Sequence, residues 1–286
     1  MEKIYIKARA KVNLGLSILE KRPDNYHNLE SVFQKINLYD EMWVEKTNTD
    51  YIEIESNIKD VKLEENIIYK AYQKLKYKFP NIRGAKVLLN KKIPMQAGLA
   101  GGSTDCASFL VAMRRLYSLD ISKEEFESIA CSLGADVVPC LYSGAIKAEG
   151  IGEIITTLDS NLKYYLVIIK PTFFCSTKAM FEKLDNRECF GDIKITEIIS
   201  ALKEQDIYTL AKNLYNDFEE ILKEENEIKN AKEMLMNNGA LRTLLAGSGS
   251  CVFGIFENKE QAKNAYRNLK ENYETYICST YNKKEK

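Results

Sequence analysis

Apolar and polar residues alternate over the first part of the chain. From Ile4 to Ile18 every even-numbered residue is apolar, and most odd-numbered residues are charged or polar. A period of two predicts β-structure, and at about 3.3 Å per residue this run exceeds one typical strand. We therefore expect two strands joined by a bend near residues 8–10, with Lys11 and Asn13 on one face of the second strand.

The rest of the first half mixes strand and helix patterns. Strand-like runs are SVFQKINL, MWVEK, YIEIES and GAKVLLNKKI, while EENIIYKAYQKLKYKF is typical of a helix. Further on, Ser122 and Glu125 form a capping box that starts another helix. Gly134 is predicted to end that helix in the left-handed conformation, which places Asp136 in a turn.

The second half changes pattern after residue 157. YYLVIIKP predicts a buried strand, Ser176 and Thr177 a helix start, and Gly239 the end of two or three helices. LRTLLAG and CVFGIF then predict two strands, followed by a charged helix and the strand TYICST. This order predicts an α+β plait. We expect two domains, residues 1–157 and 158–286.

Composition narrows the possible partners. The chain has 286 residues, with 41 basic and 41 acidic ones, so we expect neither a nucleic-acid partner nor a membrane. The charged N-terminus resembles no signal peptide, so we expect a cytoplasmic protein. We expect it to be a monomer or a homodimer. Seven cysteines occur without a CxxC pair, a pattern that favours reduced thiols over disulfides or zinc.

The segment from Pro94 to Asp105 carries the strongest chemical signal. Gly98, Gly101 and Gly102 let the backbone approach a ligand closely, and the N–H groups that open the next helix would face that ligand. The segment is neither a Walker loop nor a Rossmann turn, because neither glycine spacing occurs. We predict a phosphate-binding loop. A plain glycine-rich turn before a surface helix is the alternative.

Candidate catalytic groups lie outside this loop. Asp136 stands in the apolar run LGADVVP, where a carboxylate needs a positive or hydrogen-bonding partner. It could equally serve as a helix cap or turn residue. Lys11 is a candidate cation, although an isolated strand lysine is more often solvated. His27 follows Tyr26 in a turn, where the pair could stack on a nucleobase and bind its edge, or simply lie in a surface loop.

Five motifs together resemble the GHMP kinase family along almost the whole chain. They are Lys11–Leu14, Asp24–Leu29, Pro94–Asp105, Leu133–Val137 and Ala246–Gly249. The resemblance implies a ribosomal-protein-S5-like N-terminal domain and a ferredoxin-like C-terminal domain, with the active site in the cleft between them. The predicted plait agrees with that implication.

The same resemblance implies ATP as co-substrate, with Mg²⁺ held through the phosphates and through Ser103 and Thr104. The implied ATP-binding residues are Pro94, Met95, Gln96, Ala97, Gly98, Leu99, Ala100, Gly101, Gly102, Ser103 and Thr104, with Asn66 beside the adenine. Asp136 would take a proton from the acceptor hydroxyl, and Lys11 would keep that aspartate ionised. Ala97 and Ala100 stand where some relatives have glycine. Alanine fits there if φ is negative.

The acceptor is implied to be a small molecule with a cytidine diphosphate group. Asn13 would bind it, Thr177 would lie near it, and the cytosine would sit between Tyr26 and Phe181, with His27 reading its edge. A mevalonate or homoserine kinase of the same family, or a non-catalytic nucleotide-binding protein of the same fold, are the alternatives. The first has no need of a base pocket, and the second would be expected to lack Lys11 or Asp136.

Overall fold

The computed structural model describes residues 2–58, 61–173, 176–185 and 194–282. By its contacts the chain forms two compact units. The first contains Met1–Ala10, Tyr39–Met95 and Ala100–Leu141, and the second contains Lys11–Leu38, Gln96–Leu99 and Tyr142–Lys286. These units divide the chain differently from the expected domains 1–157 and 158–286, which stay a prediction.

The first two strands run through both units. Strand β1 spans Lys3–Lys21 and β2 spans His27–Lys46. The predicted bend near residues 8–10 was wrong, because β1 is continuous, and SVFQKINL and MWVEK likewise form one strand. From Ala10 to Ile18 β1 is buried on both faces, so packing on two sides keeps it extended. The division between the units nevertheless falls between Ala10 and Lys11.

In the first unit the strand order is β3-β4-β2-β1. Strand β3 (Ile52–Ser56) is parallel to β4 (Ala85–Asn90), and β4 is antiparallel to β2, with Leu89 opposite Met42. A 3₁₀ turn at Leu63–Glu65 precedes the first helix. The helices are α1 (Ile67–Lys78), α2 (Gly101–Leu116), α3 (Lys123–Cys131) and α4 (Val137–Cys140).

The capping box of α3 is confirmed in its N-cap contact, since the Ser122 hydroxyl accepts a hydrogen bond from Glu125 N at 3.2 Å. The predicted end of α3 was wrong. The helix ends at Cys131 with Ser132 in the right-handed region, and Gly134 has no positive φ. Asp136 lies in a turn, as predicted, and this turn leads into α4.

The second unit contains the predicted plait. Strands β7 (Tyr165–Lys170), β9 (Arg242–Leu245), β10 (Val252–Phe256) and β11 (Glu274–Ser279) form an antiparallel sheet in the order β11-β7-β10-β9. Apolar side chains of this sheet pack with those of its helices in one core that includes Val167, Leu235 and Phe256. The α+β fold class is confirmed.

More helices lie between β7 and β9 than the two or three predicted. They are α5 (Thr177–Leu184), α6 (Ile195–Glu204), α7 (Ile207–Asn213), α8 (Phe218–Ile221) and α9 (Asn226–Asn237), and α10 (Lys259–Leu269) follows β10. Left-handed Gln205 and the cap Asp206 separate α6 from α7. Ser176 caps α5, and Gly239 follows α9 at φ 88°, both as predicted.

Three short strands complete the second unit. Strand β5 (Ala145–Glu149) pairs with β2 and with β6 (Ile154–Leu158), and β8 (Tyr215–Asn216) pairs in parallel with β1 at Gly15 and Leu16. Within the residue ranges described above, none of the helices combines the length and apolar character that a membrane span requires.

Candidate active site

The predicted phosphate-binding loop leads directly into α2 in the first unit. Ala100 occupies the N-cap position, and an alanine side chain makes no capping hydrogen bond. Thr104 N is the first amide to bond within the helix, to Ala100 O at 2.9 Å. The preceding amides of the first turn have no acceptor inside the helix. A Cβ built on Gly102 would meet nothing within 4 Å, so the first turn has open space beside it for an anion.

The preceding part of the loop, residues 96–99, belongs to the second unit. Gly98 has φ 73°, and a Cβ on it would lie 1.7 Å from the carbonyl oxygen of Ala246. Leu99 O accepts a hydrogen bond from Lys11 N at 3.2 Å. This part of the loop therefore touches both β1 and the turn after β9, and the contact with Ala246 leaves room only for glycine at position 98.

The two alanines of the loop differ. Ala97 is buried without a positive φ, which is the condition under which alanine fits. Ala100, however, has φ 56° and ψ 34°, so that condition is not met there. The left-handed conformation costs an alanine about 1–2 kcal/mol, because its Cβ crowds the next carbonyl. Ala100 thus stores backbone strain directly before α2.

The two hydroxyl residues of the loop lie in different surroundings. Thr104 is buried, and its hydroxyl donates to Arg9 O at 2.7 Å. In this arrangement the Thr104 hydroxyl has no hydrogen left to donate to a phosphate oxygen. Ser103 is half-buried in the first turn of α2. Of the two, Ser103 is better placed to contact phosphate.

A buried charge cluster supports the same helix start, and the sequence reading missed it. The Lys91 ammonium lies 2.5 Å from Asp40 Oδ2 and 2.6 Å from Asp105 Oδ2. Asp40 Oδ1 also accepts hydrogen bonds from Lys92 N and Ile93 N. A Cβ on Gly101 would lie 3.3 Å from Lys91 Nζ. The cluster therefore touches the first residue of α2.

Two carboxyl groups share one cation in this cluster, and burial favours the protonated form of Asp105. Burial raises the pKa of Asp105 to about 8, against the opposing effect of Lys91. Burial alone would lower the pKa of Lys91, but Asp105 and Asp40 outweigh it and raise that pKa. Asp105 Oδ1 is buried and has no hydrogen-bond partner among the described residues, which is less costly for a neutral carboxyl than for a carboxylate.

Lys11 and Asn13 lie together on β1, on the shared face that alternation predicts. Lys11 Nζ donates to Asn13 Oδ1 at 2.9 Å, and Asn13 Nδ2 donates to the Ser31 hydroxyl at 2.9 Å. Ser31 in turn donates to Gly15 O at 2.6 Å. The Lys11 ammonium lies over the Phe33 ring, with Nζ 4.6 Å from the ring centre. Lys11 is only 4% exposed, so the solvated-lysine alternative is wrong.

Asp136 lies in the first unit, immediately before α4. The four residues after it, Val137–Cys140, are all buried, and Asp136 itself is half-buried. Because Lys11 belongs to the second unit, the predicted pairing of Lys11 with Asp136 stays a prediction. Asn66 also lies in the first unit, where its side chain caps α1 by accepting from Ile68 N at 2.9 Å.

The residues predicted to hold a base lie in the second unit. His27 is 6% exposed, so it is not a surface-loop histidine, and its ring stacks on Phe181 with the ring centres 5.3 Å apart. Its Nε2 lies 2.7 Å from Asp185 Oδ1. The hydrogen bond from Lys21, with help from His27, holds the pKa of Asp185 below its usual range.

Tyr26 differs from its neighbour, because 56% of its surface is exposed. Its ring is therefore accessible from solvent, as a stacking partner for a base would be. Thr177, the remaining predicted acceptor residue, shares a hydrogen bond of 2.8 Å with the Ser248 hydroxyl. Two polar partners were not indicated by the sequence, Asp185 beside His27 and Ser31 beside Asn13. Ser248 belongs to the Ala246–Gly249 motif.

Comparison with known proteins identifies the class. Residues 66–144 match the GHMP kinases N terminal domain, and residues 198–275 match the GHMP kinases C terminal domain. The first match runs from Asn66 to a few residues beyond α4, and it includes the phosphate-binding loop and Asp136. The second lies within the second unit and includes β9 and β10. The chain belongs to the GHMP kinase family.

Within that family the similarity is more specific. A 4-diphosphocytidyl-2-C-methyl-D-erythritol kinase from Alkaliphilus oremlandii is 37% identical over 99% of this chain and 98% of its own. A kinase of the same name from Thermoanaerobacter pseudethanolicus is 40% identical over 96% of this chain and 94% of its own. A crystal structure of 4-(cytidine 5'-diphospho)-2C-methyl-D-erythritol kinase superimposes with a TM-score of 0.84, at 28% identity, covering 98% of this chain and 100% of the other.

Proposed function

We propose that this protein transfers the γ-phosphate of ATP to the 2-hydroxyl of 4-(cytidine 5'-diphospho)-2-C-methyl-D-erythritol, a step of the non-mevalonate route to isoprenoid precursors. Near full-length similarity to kinases of that name supports the substrate. The structural observation that carries the activity is the position of Lys11. Its side chain is a buried cation beside Asn13, and its backbone is hydrogen-bonded to Leu99 of the phosphate-binding loop.

In the proposed reaction Asp136 accepts the proton of the 2-hydroxyl. The resulting oxygen attacks the γ-phosphorus, the bond from that phosphorus to the β,γ-bridging oxygen breaks, and ADP leaves. Lys11 stabilises the ionised Asp136 and the negative charge on the reacting oxygens. Positioning and charge stabilisation supply most of the catalysis in phosphoryl transfer. The uncapped first turn of α2 binds the phosphates through its N–H groups.

The residues present suit a magnesium ion that is held mainly by the nucleotide. In the part of the chain that the structure describes, no three acidic, histidine or cysteine side chains cluster as a metal site. Mg²⁺ commonly binds through substrate phosphates with few protein ligands. The hydroxyl oxygens of Ser103 and Thr104 would complete such a site. When bound, the ion neutralises charge on the β- and γ-phosphates.

For the acceptor, we propose that Tyr26 and Phe181 enclose the cytosine, and that His27 binds its polar edge. Support comes from the accessible ring of Tyr26 and from the stacking of His27 on Phe181. The hydrogen bond from His27 to Asp185 fixes the plane of the imidazole. Asn13 and Thr177 provide further polar groups, and Asn66 lies beside the adenine of ATP.

The substrate is tested by measuring ADP release with the cytidyl acceptor, mevalonate and homoserine side by side. We expect turnover of the cytidyl acceptor alone. Turnover of mevalonate or homoserine instead would contradict the proposed acceptor and favour another kinase of the family. Failure to release ADP with any of the three, under conditions where ATP binds, would favour a non-catalytic nucleotide-binding protein.

The catalytic roles are tested by substitution. Asp136→Asn should lower kcat by about 10²–10⁴-fold, the usual contribution of a general base, with Asp120→Asn, an exposed aspartate, as its control. Lys11→Met keeps the apolar stem but removes the charge, and should lower kcat by about 10²–10³-fold. Lys7→Met on the exposed part of β1 is the matched control. Unchanged turnover in Asp136→Asn would rule out the mechanism.

A further inference from the structure

Asn216, the last residue of β8, is a buried amide whose hydrogen bonds join its own segment to the end of β9 and the turn after it. Its Nδ2 donates to Leu245 O and to Gly247 O, both at 2.8 Å, and its Oδ1 accepts from Phe218 N at 3.0 Å. Asn216 is 3% exposed. Its side chain therefore holds the turn after β9 at two carbonyl groups, those of Leu245 and Gly247, which flank Ala246.

That turn, residues 246–249, is called the Gly247 turn below, and it is in direct backbone contact with the phosphate-binding loop. A Cβ on Gly98 would lie 1.7 Å from Ala246 O, and a Cβ on Gly247 would lie 2.9 Å from Gly98 O. No side chain separates the two backbones at these points. A shift of the Gly247 turn toward Gly98 would therefore push the loop directly, since rigid backbone atoms cannot rotate aside as a side chain can.

The same segments are also joined through β1. Leu99 O accepts a hydrogen bond from Lys11 N, and β1 pairs with β8 where Leu16 lies opposite Asn216. The buried Asp217 adds a second connection, because its Oδ2 accepts from Ile18 N at 2.6 Å. These contacts form a closed ring that runs from β1 through the loop at residues 98–99, the Gly247 turn and Asn216 back to β1.

We propose that Asn216 is a positioning residue that holds residues 96–99 of the phosphate-binding loop at a fixed distance from Lys11. Asn216 touches no reacting atom and acts through the Gly247 turn. Its role follows from the chemistry of the site, because a misplacement of about 1 Å can lower a rate by about 10²-fold. The inference rests on the proposed function in so far as the loop binds the phosphates of ATP.

The test compares Asn216→Ala with Asn213→Ala in the full chain. Asn213 is a suitable control because its amide also donates to a carbonyl, Thr209 O at 2.9 Å, but within α7 and outside the ring. Circular dichroism and thermal melting first establish that each variant is folded at the assay temperature. The dissociation constant of ATP is then measured by titration calorimetry, and kcat by ADP release.

We expect Asn216→Ala to weaken ATP binding and to lower kcat, each by tenfold or more, while Asn213→Ala stays within twofold of the wild type. Asn216→Ser, which keeps one hydroxyl donor, should lie between the two. If Asn216 had only a structural role, the loss of ATP affinity would be proportional to the loss of melting temperature, with the same proportion in Asn216→Ala and Asn213→Ala. That result, or a folded Asn216→Ala with wild-type ATP affinity and kcat, would overturn the proposal.

Two further outcomes remain informative. If Asn216→Ala does not fold, Asn216→Ser is compared with Asn213→Ser, and values within twofold of each other would overturn the proposal. If the wild-type protein binds ATP but does not phosphorylate the cytidyl acceptor, the proposed function fails while the positioning role is still decided by the ATP dissociation constants.

Discussion

The two parts of the phosphate-binding loop are held by different kinds of interaction. In the first unit, the start of α2 rests on the charge cluster of Lys91, Asp40 and Asp105, which is nearly excluded from water. In the second unit, residues 96–99 are held by backbone contacts with Lys11 and with the turn after β9. The position of the first part depends on buried charges. The position of the second depends on close backbone contacts, which are possible because Gly98 has no side chain.

This difference determines how each part responds to change. A buried charge cluster is sensitive to pH and to the loss of any one partner, because the remaining charges stay buried. A backbone contact has no titrating group, so its contribution to stability does not change with pH. Because the two backbones lie so close together, an added side-chain atom would clash. The four substitutions below separate these two behaviours, beginning with the largest expected effect.

Lys91→Met should be the most damaging change. It leaves the carboxyl groups of Asp40 and Asp105 buried without their cation, and breaking a buried pair in this way typically costs about 3–5 kcal/mol. We expect a loss of that size in the free energy of unfolding, measured by urea denaturation at pH 7. The control is Lys92→Met, since Lys92 pairs with Glu41 at a more exposed site. Equal losses in the two variants would contradict the charge-based account.

Gly98→Ala should come next. The added Cβ would meet the Ala246 carbonyl, and the positive φ is unfavourable for alanine as well. Strain at positive φ of about 1–2 kcal/mol, together with overpacking of about 1–3 kcal/mol, predicts a total loss of about 2–5 kcal/mol. This loss should be the same at pH 6 and pH 8. Gly102→Ala, where a Cβ meets nothing within 4 Å, is the matched control and should change stability little.

Asp105→Asn should change the pH dependence of stability. Because the pKa of Asp105 is about 8 in the folded protein and about 4 when unfolded, the folded state keeps a proton that the unfolded state loses. Stability from this group is therefore complete below about pH 4 and is lost as pH rises toward 8. The slope reaches about 1.4 kcal/mol per pH unit. An asparagine cannot titrate, so the variant should lack this decline.

The measurement is urea denaturation at pH 5, 6.5 and 8 for the wild type, Asp105→Asn and Asp120→Asn. Relative to the wild type, Asp105→Asn should become more stable with each step in pH, while the exposed Asp120→Asn should follow the wild-type profile. Parallel profiles for all three proteins would show that Asp105 ionises normally in the folded state and would contradict the protonated form inferred from its burial.

Much of the fold could be predicted from local patterns. The plait follows from strand and helix periodicity, and the starts of α3 and α5 follow from Ser122 and Ser176, because capping depends on neighbouring residues. Gly134 and the bend in β1 were mispredicted for the opposite reason. Packing on both faces keeps β1 one continuous strand, and α3 ends before its glycine, outcomes that depend on tertiary contacts.

The candidate site divides in the same way. The glycines, Lys11 and His27 were recognisable from residue type and order. Their partners were not, since Asn216 meets Gly247 and His27 meets Asp185 across long stretches of sequence, and no local spacing reports such pairs. The positive φ of Ala100 could not be predicted either. Alanine does not indicate a left-handed backbone, whereas a glycine at that position would have suggested one.

Ala100→Gly is the mildest change, and it should stabilise the protein. It removes about 1–2 kcal/mol of left-handed strain, offset by about 0.4–1 kcal/mol of added freedom in the unfolded chain. We expect a net gain of about 0.5–1 kcal/mol in the free energy of unfolding. Ala97→Gly is the control, because Ala97 has no positive φ and its replacement should only destabilise. A loss in Ala100→Gly as large as that in Ala97→Gly would mean that the alanine methyl group supports the start of α2 more than its strained backbone weakens it.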